Sequence, residues 1–79
     1  MSREDWVATL RYNRQLWILF ATSVTRPDNP LPDEVKANIA NLAIFIFKQS
    51  LVAERDRSEA SVRPLISINR NIAAGLRGQ

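Results

Sequence analysis

Apolar residues recur at helical spacing in three separate stretches of this chain, and the most apolar of the three lies in the middle. From Leu31 to Glu54 the sequence reads LPDEVKANIANLAIFIFKQSLVAE. Val35, Ile39, Leu42, Ile46 and Ala53 fall on one helical face, and Ala37, Ala40, Ile44, Phe47 and Leu51 form a second. A helix that is apolar nearly all round is covered on more than one side. Asn41 and Lys48 bracket an uninterrupted apolar run of only six residues, too short to span a bilayer. IFIF favours a strand locally, but its flanks are helical and a lone strand has no partner in the rest of the chain. Pro32 suits a first turn, where a missing N–H costs nothing, and Asp33 and Glu34 follow at the positive end of the dipole. The pattern predicts a helix over 31–55. Phe45 and Ile46 lie about 100° apart on it, so the expectation is that both are buried, by different helices or by a second copy.

On either side, two more helices are predicted. Ser2 can cap the first, with Asp5 three residues on. Trp6, Leu10, Asn13, Trp17, Phe20 and Val24 share one stripe, with Tyr12, Leu16 and Leu19 beside it. This helix runs over 2–25 and stops at TRPDNPLP, whose three prolines and Asp-Asn pair are turn chemistry. Residues before proline are pushed towards extended conformations, so the link is stiff and favours an antiparallel hairpin. After Glu54, RDRSEASVR lacks apolar periodicity; its first residues can extend the second helix by a turn, and the rest reads as a loop. Ser61 or Arg63 then caps a third helix over 63–76, with Pro64 in its first turn and Leu65, Ile68, Ile72 and Leu76 as its stripe. Gly75 and Gly78 mark its end, with Arg77 favourably placed near the negative pole. The expected fold is an all-α, three-helix domain over 1–79: a helical hairpin plus a shorter third helix, with enough apolar surface left over to oligomerise.

Two side-chain pairs stand out against this pattern. Asn13 sits on the tryptophan stripe, and a buried amide needs partners, for which the end of another helix is the nearest source. Arg14 offers five donors in a fixed fork, suited to carboxylates or helix C-terminal carbonyls. Asn69-Arg70 repeats the pair in the third helix, but two residues are too short to indicate a duplication.

Composition narrows the chemistry. With 79 residues the chain is near the lower limit for a self-sufficient core. It has no cysteine and no histidine, so it lacks disulfides, thiolate metal sites and the commonest general base. Its 2 glycines, both near the C-terminus, leave no phosphate-cradling loop. No cofactor or metal is expected. The net charge of +3 comes from arginines interspersed with acids, which describes a solvated surface more than a nucleic-acid patch. The acids cluster at Glu4-Asp5 and Asp33-Glu34, both at helix starts, where the dipole already accounts for them. With no nucleophile–base pair, an enzyme is not expected. The N-terminus lacks the apolar run of a signal peptide, so the expected location is cytoplasmic, with no membrane partner.

YNRQLW in the first helix, then NPLPDEVKANIANLAIFI, then RPLISINRNIAAGL, in that order and spacing, closely resemble the flagellar biosynthesis regulator FlaF family of alphaproteobacteria. The matching segments cover nearly all of Trp6 to Leu76. Members of that family usually carry a further helical segment ahead of the tryptophan-bearing helix, whereas Met1 here stands a few residues before Trp6. Surface that such a segment covers is then expected to be exposed or covered by another copy. The resemblance implies a small helical cytoplasmic protein that promotes flagellin synthesis or export, chaperone-like, opposing the partner regulator FlbT.

Two function classes follow. In the first, the chain is a non-enzymatic adaptor that takes an amphipathic flagellin helix into an apolar groove. Trp6, Trp17 and Phe20 would be anchors, with Asn13, Arg14, Asn69 and Arg70 as polar contacts. The partners are flagellin, FlbT and a second copy of the chain. In the second, the chain regulates flagellin mRNA directly or through FlbT. The basic balance and the aromatics fit that reading weakly, and no recognised RNA-binding signature is present.

Overall fold

A computed structural model describes residues 2–77. It contains three helices and, among the described residues, no strand: α1 (Arg3–Val24), α2 (Asp33–Asp56) and α3 (Glu59–Leu76). The all-α, three-helix expectation holds.

Local chemistry accounts for each helix boundary. The Ser2 hydroxyl accepts the Asp5 N–H at 3.1 Å and caps α1, with Glu4 and Asp5 in the first turn. At the other end, the Thr25 hydroxyl donates to the Ala21 carbonyl at 2.7 Å. The Asn29 side chain then accepts the Leu31 N–H at 3.0 Å and closes an Asx turn inside the proline-rich link. Lys36 reaches back to the Arg26 carbonyl at 2.8 Å. Pro32 is the residue before α2 and makes no side-chain cap, so the helix begins at Asp33. Leu31 stays outside because a residue preceding proline is driven out of the helical region.

The third helix starts four residues earlier than its apolar pattern indicates. Arg57 adopts a left-handed conformation (φ 52°, ψ 37°), and its N–H donates to the Ala53 carbonyl at 2.9 Å. Only Arg57 and Ser58 separate α2 from α3. The cap is Ser58, not Ser61 or Arg63: its hydroxyl accepts the Ser61 N–H at 3.2 Å, while the Ser61 hydroxyl donates to the Ser58 carbonyl at 2.6 Å. Pro64 therefore lies inside the helix. The backbone bond it cannot make would have gone to Ala60, an exposed residue whose carbonyl water can satisfy. Gly75 falls within the helix, and Gly78 lies outside the described residues.

Both α1 and α3 pack on α2, and among the described residues their own backbones stay apart. The core is Leu10, Trp17 and Val24 from α1, Ile39, Ile46 and Ala53 from α2, and Leu65 from α3. Ile46 and Ala53 are wholly buried. Ser50 lies between them, also wholly buried, and is polar but satisfied. Its hydroxyl accepts from Arg14 at 2.9 Å and sits 3.4 Å from the Leu10 carbonyl.

Within the single chain, no other helix buries Phe45. Its neighbour Ile46 is 0% exposed, whereas Phe45 is 43% exposed in the single chain. The roughly 100° step between them carries Phe45 past the edge of the α3 contact. Ile46→Ala should therefore cost about 2–5 kcal/mol, and Phe45→Ala clearly less, about 1 kcal/mol. Thermal unfolding followed by circular dichroism should separate the two midpoints by at least several degrees.

Candidate functional site

Because the backbones of α1 and α3 pack on α2 but stay apart from each other, a groove runs between them. They lie parallel and in register: Asn13 meets Asn69, with Trp6 and Val62 on one side of that pair and Phe20 and Leu76 on the other. From Trp6 to Phe20 the groove is about 21 Å long at 1.5 Å per residue, or four helical turns. It has two lobes. One is lined by Leu16, Trp17, Phe20, Ile72, Ala73 and Leu76, the other by Trp6, Thr9, Leu10, Val62, Leu65 and Ile66. Asn13 and Asn69 line both and divide them.

The dividing pair is built from hydrogen bonds. The Asn69 carbonyl oxygen accepts the Trp17 indole N–H at 2.8 Å, and the Asn69 amide donates to Asn13 Oδ1 at 2.9 Å. One amide thus satisfies the buried indole and ties α3 to α1. The Asn13 Nδ2 is buried without a hydrogen-bond partner. The expected bond from Asn13 to a helix end does not form; its partner is a side chain. Trp6 makes that kind of bond instead, its indole N–H donating to the Ala53 carbonyl at 2.8 Å in the last turn of α2. Trp17 and Phe20 meet edge to face, with ring centroids 5.5 Å apart and planes at 87°, a favoured aromatic geometry.

Five of the seven residues singled out in the sequence therefore share one groove: Trp6, Asn13, Trp17, Phe20 and Asn69. Trp17 belongs to the core and forms the floor, while Trp6 and Phe20 are half-buried walls. Arg14 and Arg70 line neither lobe. Arg14 turns towards α2, where its guanidinium donates to Glu54 Oε2 at 2.8 Å and to Ser50. It also lies 5.9 Å from the centre of the Phe47 ring. The carboxylate expected for Arg14 is thus within the chain. Arg70 is exposed on α3 and borders a second cleft with Arg63, Ile66, Ser67 and Asn71.

Leu16, Ile66, Ile72 and Leu76 complete the groove and were not singled out as site residues. Leu16 and Ile66 are each nearly half exposed, and Leu76 is more so. The usable signal for Leu16 was its place three residues after Asn13 and four before Phe20, on the same side of the helix. Among the described residues, no helix is long and apolar enough to cross a membrane.

The two asparagines should respond differently to truncation. Asn69→Ala strands a buried indole N–H and cuts the tie between α1 and α3, costing about 1–3 kcal/mol. Asn13→Ala removes an amide whose nitrogen is already unsatisfied, and frees an Asn69 amide that water can reach, so its cost should be small. Urea unfolding of both variants checks this ordering, and equal losses would mean that the Asn69–Asn13 bond, not the Trp17–Asn69 bond, is what holds α3 against α1.

A family model described as "Flagellar protein FlaF" matches residues 1–76. No curated protein and no solved structure matched the chain. The matched segment takes in all of α1, α2 and α3, together with the groove and the asparagine pair that divides it. The chain belongs to the flagellar protein FlaF family.

Proposed function

We propose that this FlaF-family chain is a non-enzymatic adaptor that receives an amphipathic helix of flagellin in the α1–α3 groove, and in doing so promotes flagellin synthesis or secretion. The observation that carries the reading is the groove. It is apolar, open, about four turns long, and has a floor held rigid by the Trp17–Asn69–Asn13 bonds. Helix-in-groove recognition needs apolar pockets that accept side chains at i, i+3 or i+4, and i+7. Two apolar lobes separated by a polar divider fit a helix with apolar anchors at each end and a polar residue at its centre. The terminal helices of flagellin are the preferred ligand by chaperone logic, since they polymerise in the filament and are what must be masked before export. The site of action on this reading is the cytoplasm, and FlbT is the second partner to test in parallel.

The reading through flagellin mRNA has one feature in its favour, the exposed Arg63 and Arg70 bordering one cleft on α3. Phosphate contacts weaken steeply with salt. A salt titration of binding to the flagellin message therefore discriminates between the readings, because groove binding to a protein helix is far less salt-sensitive.

Leu16→Glu and Ile66→Glu place a charge in each lobe at residues that are exposed in the free chain. Each should weaken flagellin binding by at least ~10-fold while thermal stability changes little. Trp17→Ala should lower the melting temperature sharply, because Trp17 is floor and core. Calorimetric binding of purified flagellin, paired with melting curves on the same variants, provides the check. Undiminished binding by both glutamate variants would remove the groove from the proposal.

A further inference from the structure

Among the described residues, no other helix covers the second apolar stripe of α2. Ala37, Ala40, Ile44, Phe47 and Leu51 recur at steps of three, four, three and four, the spacing of a coiled-coil seam. The stripe that α2 buries against α1 and α3 contains Ile39, Ile46 and Ala53. On the other stripe Ile44 is 55% exposed, Leu51 49% and Phe47 42%. Arg14 lies beside Phe47 and seals the inner edge of this face. The groove proposed for flagellin lies on the other flank of α1, so the two surfaces are separate.

We infer that this face is covered by a second copy of the chain, through an antiparallel α2–α2 seam about a two-fold axis at Ile44. Three observations select that occupant. The first is size order along the seam: small residues (Ala37, Ala40) come first, then Ile44, then large ones (Phe47, Leu51). Antiparallel pairing about Ile44 sets Ala37 against Leu51 and Ala40 near Phe47, so large side chains fill the space that small ones leave. A parallel pairing sets large against large and leaves a void at the alanines. The second is charge. The same stripe begins at Asp33 and ends at Arg55, both exposed. The antiparallel arrangement brings Asp33 of one copy opposite Arg55 of the other, whereas a parallel one opposes like charges. Opposed macrodipoles favour the same choice. The third is area. The chain exposes 5730 Å², against about 4,850 Å² for a compact monomer of this mass. The excess of roughly 900 Å², spread over this face and the α1–α3 groove, is of the order of the ~800 Å² that each partner contributes to a standard interface.

The chain has no cysteine, so single-cysteine variants report the geometry directly. In light scattering on the wild-type chain, the mass should be twice the 9.0 kDa of one copy and should fall towards one copy on dilution. Ile44→Glu should be monomeric with unchanged helix content, since Ile44 is exposed in the single chain. It should keep its affinity for flagellin, whereas Leu16→Glu should lose flagellin and stay dimeric. On mild oxidation, Ile44→Cys alone should give a disulfide dimer, and so should a mixture of Ala37→Cys with Leu51→Cys. Leu51→Cys alone should not, because in the antiparallel seam the two Leu51 positions are about 21 Å apart, beyond disulfide reach. A monomeric wild-type mass at high concentration would overturn the inference. So would a dimer unaffected by Ile44→Glu, or self-crosslinking of Leu51→Cys as efficient as that of Ile44→Cys. Loss of flagellin binding in Ile44→Glu with a monomeric wild type would assign the face to flagellin instead.

Discussion

One backbone carbonyl, that of Ala53, sets the relation of all three helices. It receives the Trp6 indole N–H at 2.8 Å and the Arg57 N–H at 2.9 Å. The first bond pins the beginning of α1 to the end of α2. The second closes α2 and turns the chain, through a left-handed residue, into the cap of α3. Helix ends carry carbonyls with no partner inside the helix, and here one such group joins two connections. The result is an antiparallel hairpin with a third helix returning beside the first, all referred to the last turn of α2.

From that arrangement the polar groups of the interior take their roles. Arg14, Ser50 and Glu54 form a connected set between α1 and α2, with the guanidinium paired and its remaining approach covered by the Phe47 ring. The set joins α1 to α2, and removing one member of a partly buried charge pair leaves the other uncompensated. The asparagine pair does the corresponding work between α1 and α3. Their backbones do not touch, and the side-chain bonds from Asn69 to Trp17 and to Asn13 span the gap between them. A groove held open by hydrogen bonds on a hydrophobic floor costs little to reorganise when a helix enters it.

The distribution of apolar surface follows from size. A chain of 79 residues has too little interior to cover a central helix on every side. α1 and α3 occupy one half of α2, and the other half keeps Ile44, Phe47 and Leu51 in water. The α1–α3 groove is a second apolar exposure of a different kind, concave and polar at its centre. The regularly spaced stripe and the divided groove differ in chemistry, apolar along its length in one case and apolar with a polar centre in the other.

The sequence by itself determined the helices. Period, caps and turn chemistry are local, so Ser2, the proline-rich link and the apolar stripes placed α1 and α2 within two residues of their observed ends. The same locality explains the one boundary read late. α3 begins at Ser58 through a serine cap and a left-handed arginine, and neither has an apolar period to announce it. The aromatic stripe of α1 and the Asn-Arg pairs were legible as unusual positions, and most of them do meet in the groove. Which groups they bond was not legible. Trp6 takes a helix-end carbonyl, Asn13 takes a side chain from the third helix, and Arg14 spends its charge on Glu54. These partners lie 40 to 56 residues apart in the chain. Only the packing of α1 and α3 on α2 brings them within hydrogen-bond reach. The same packing decided that Ile46 is sealed while Phe45, one residue away, faces water, because the direction of a neighbouring helix is a tertiary fact that no local pattern contains.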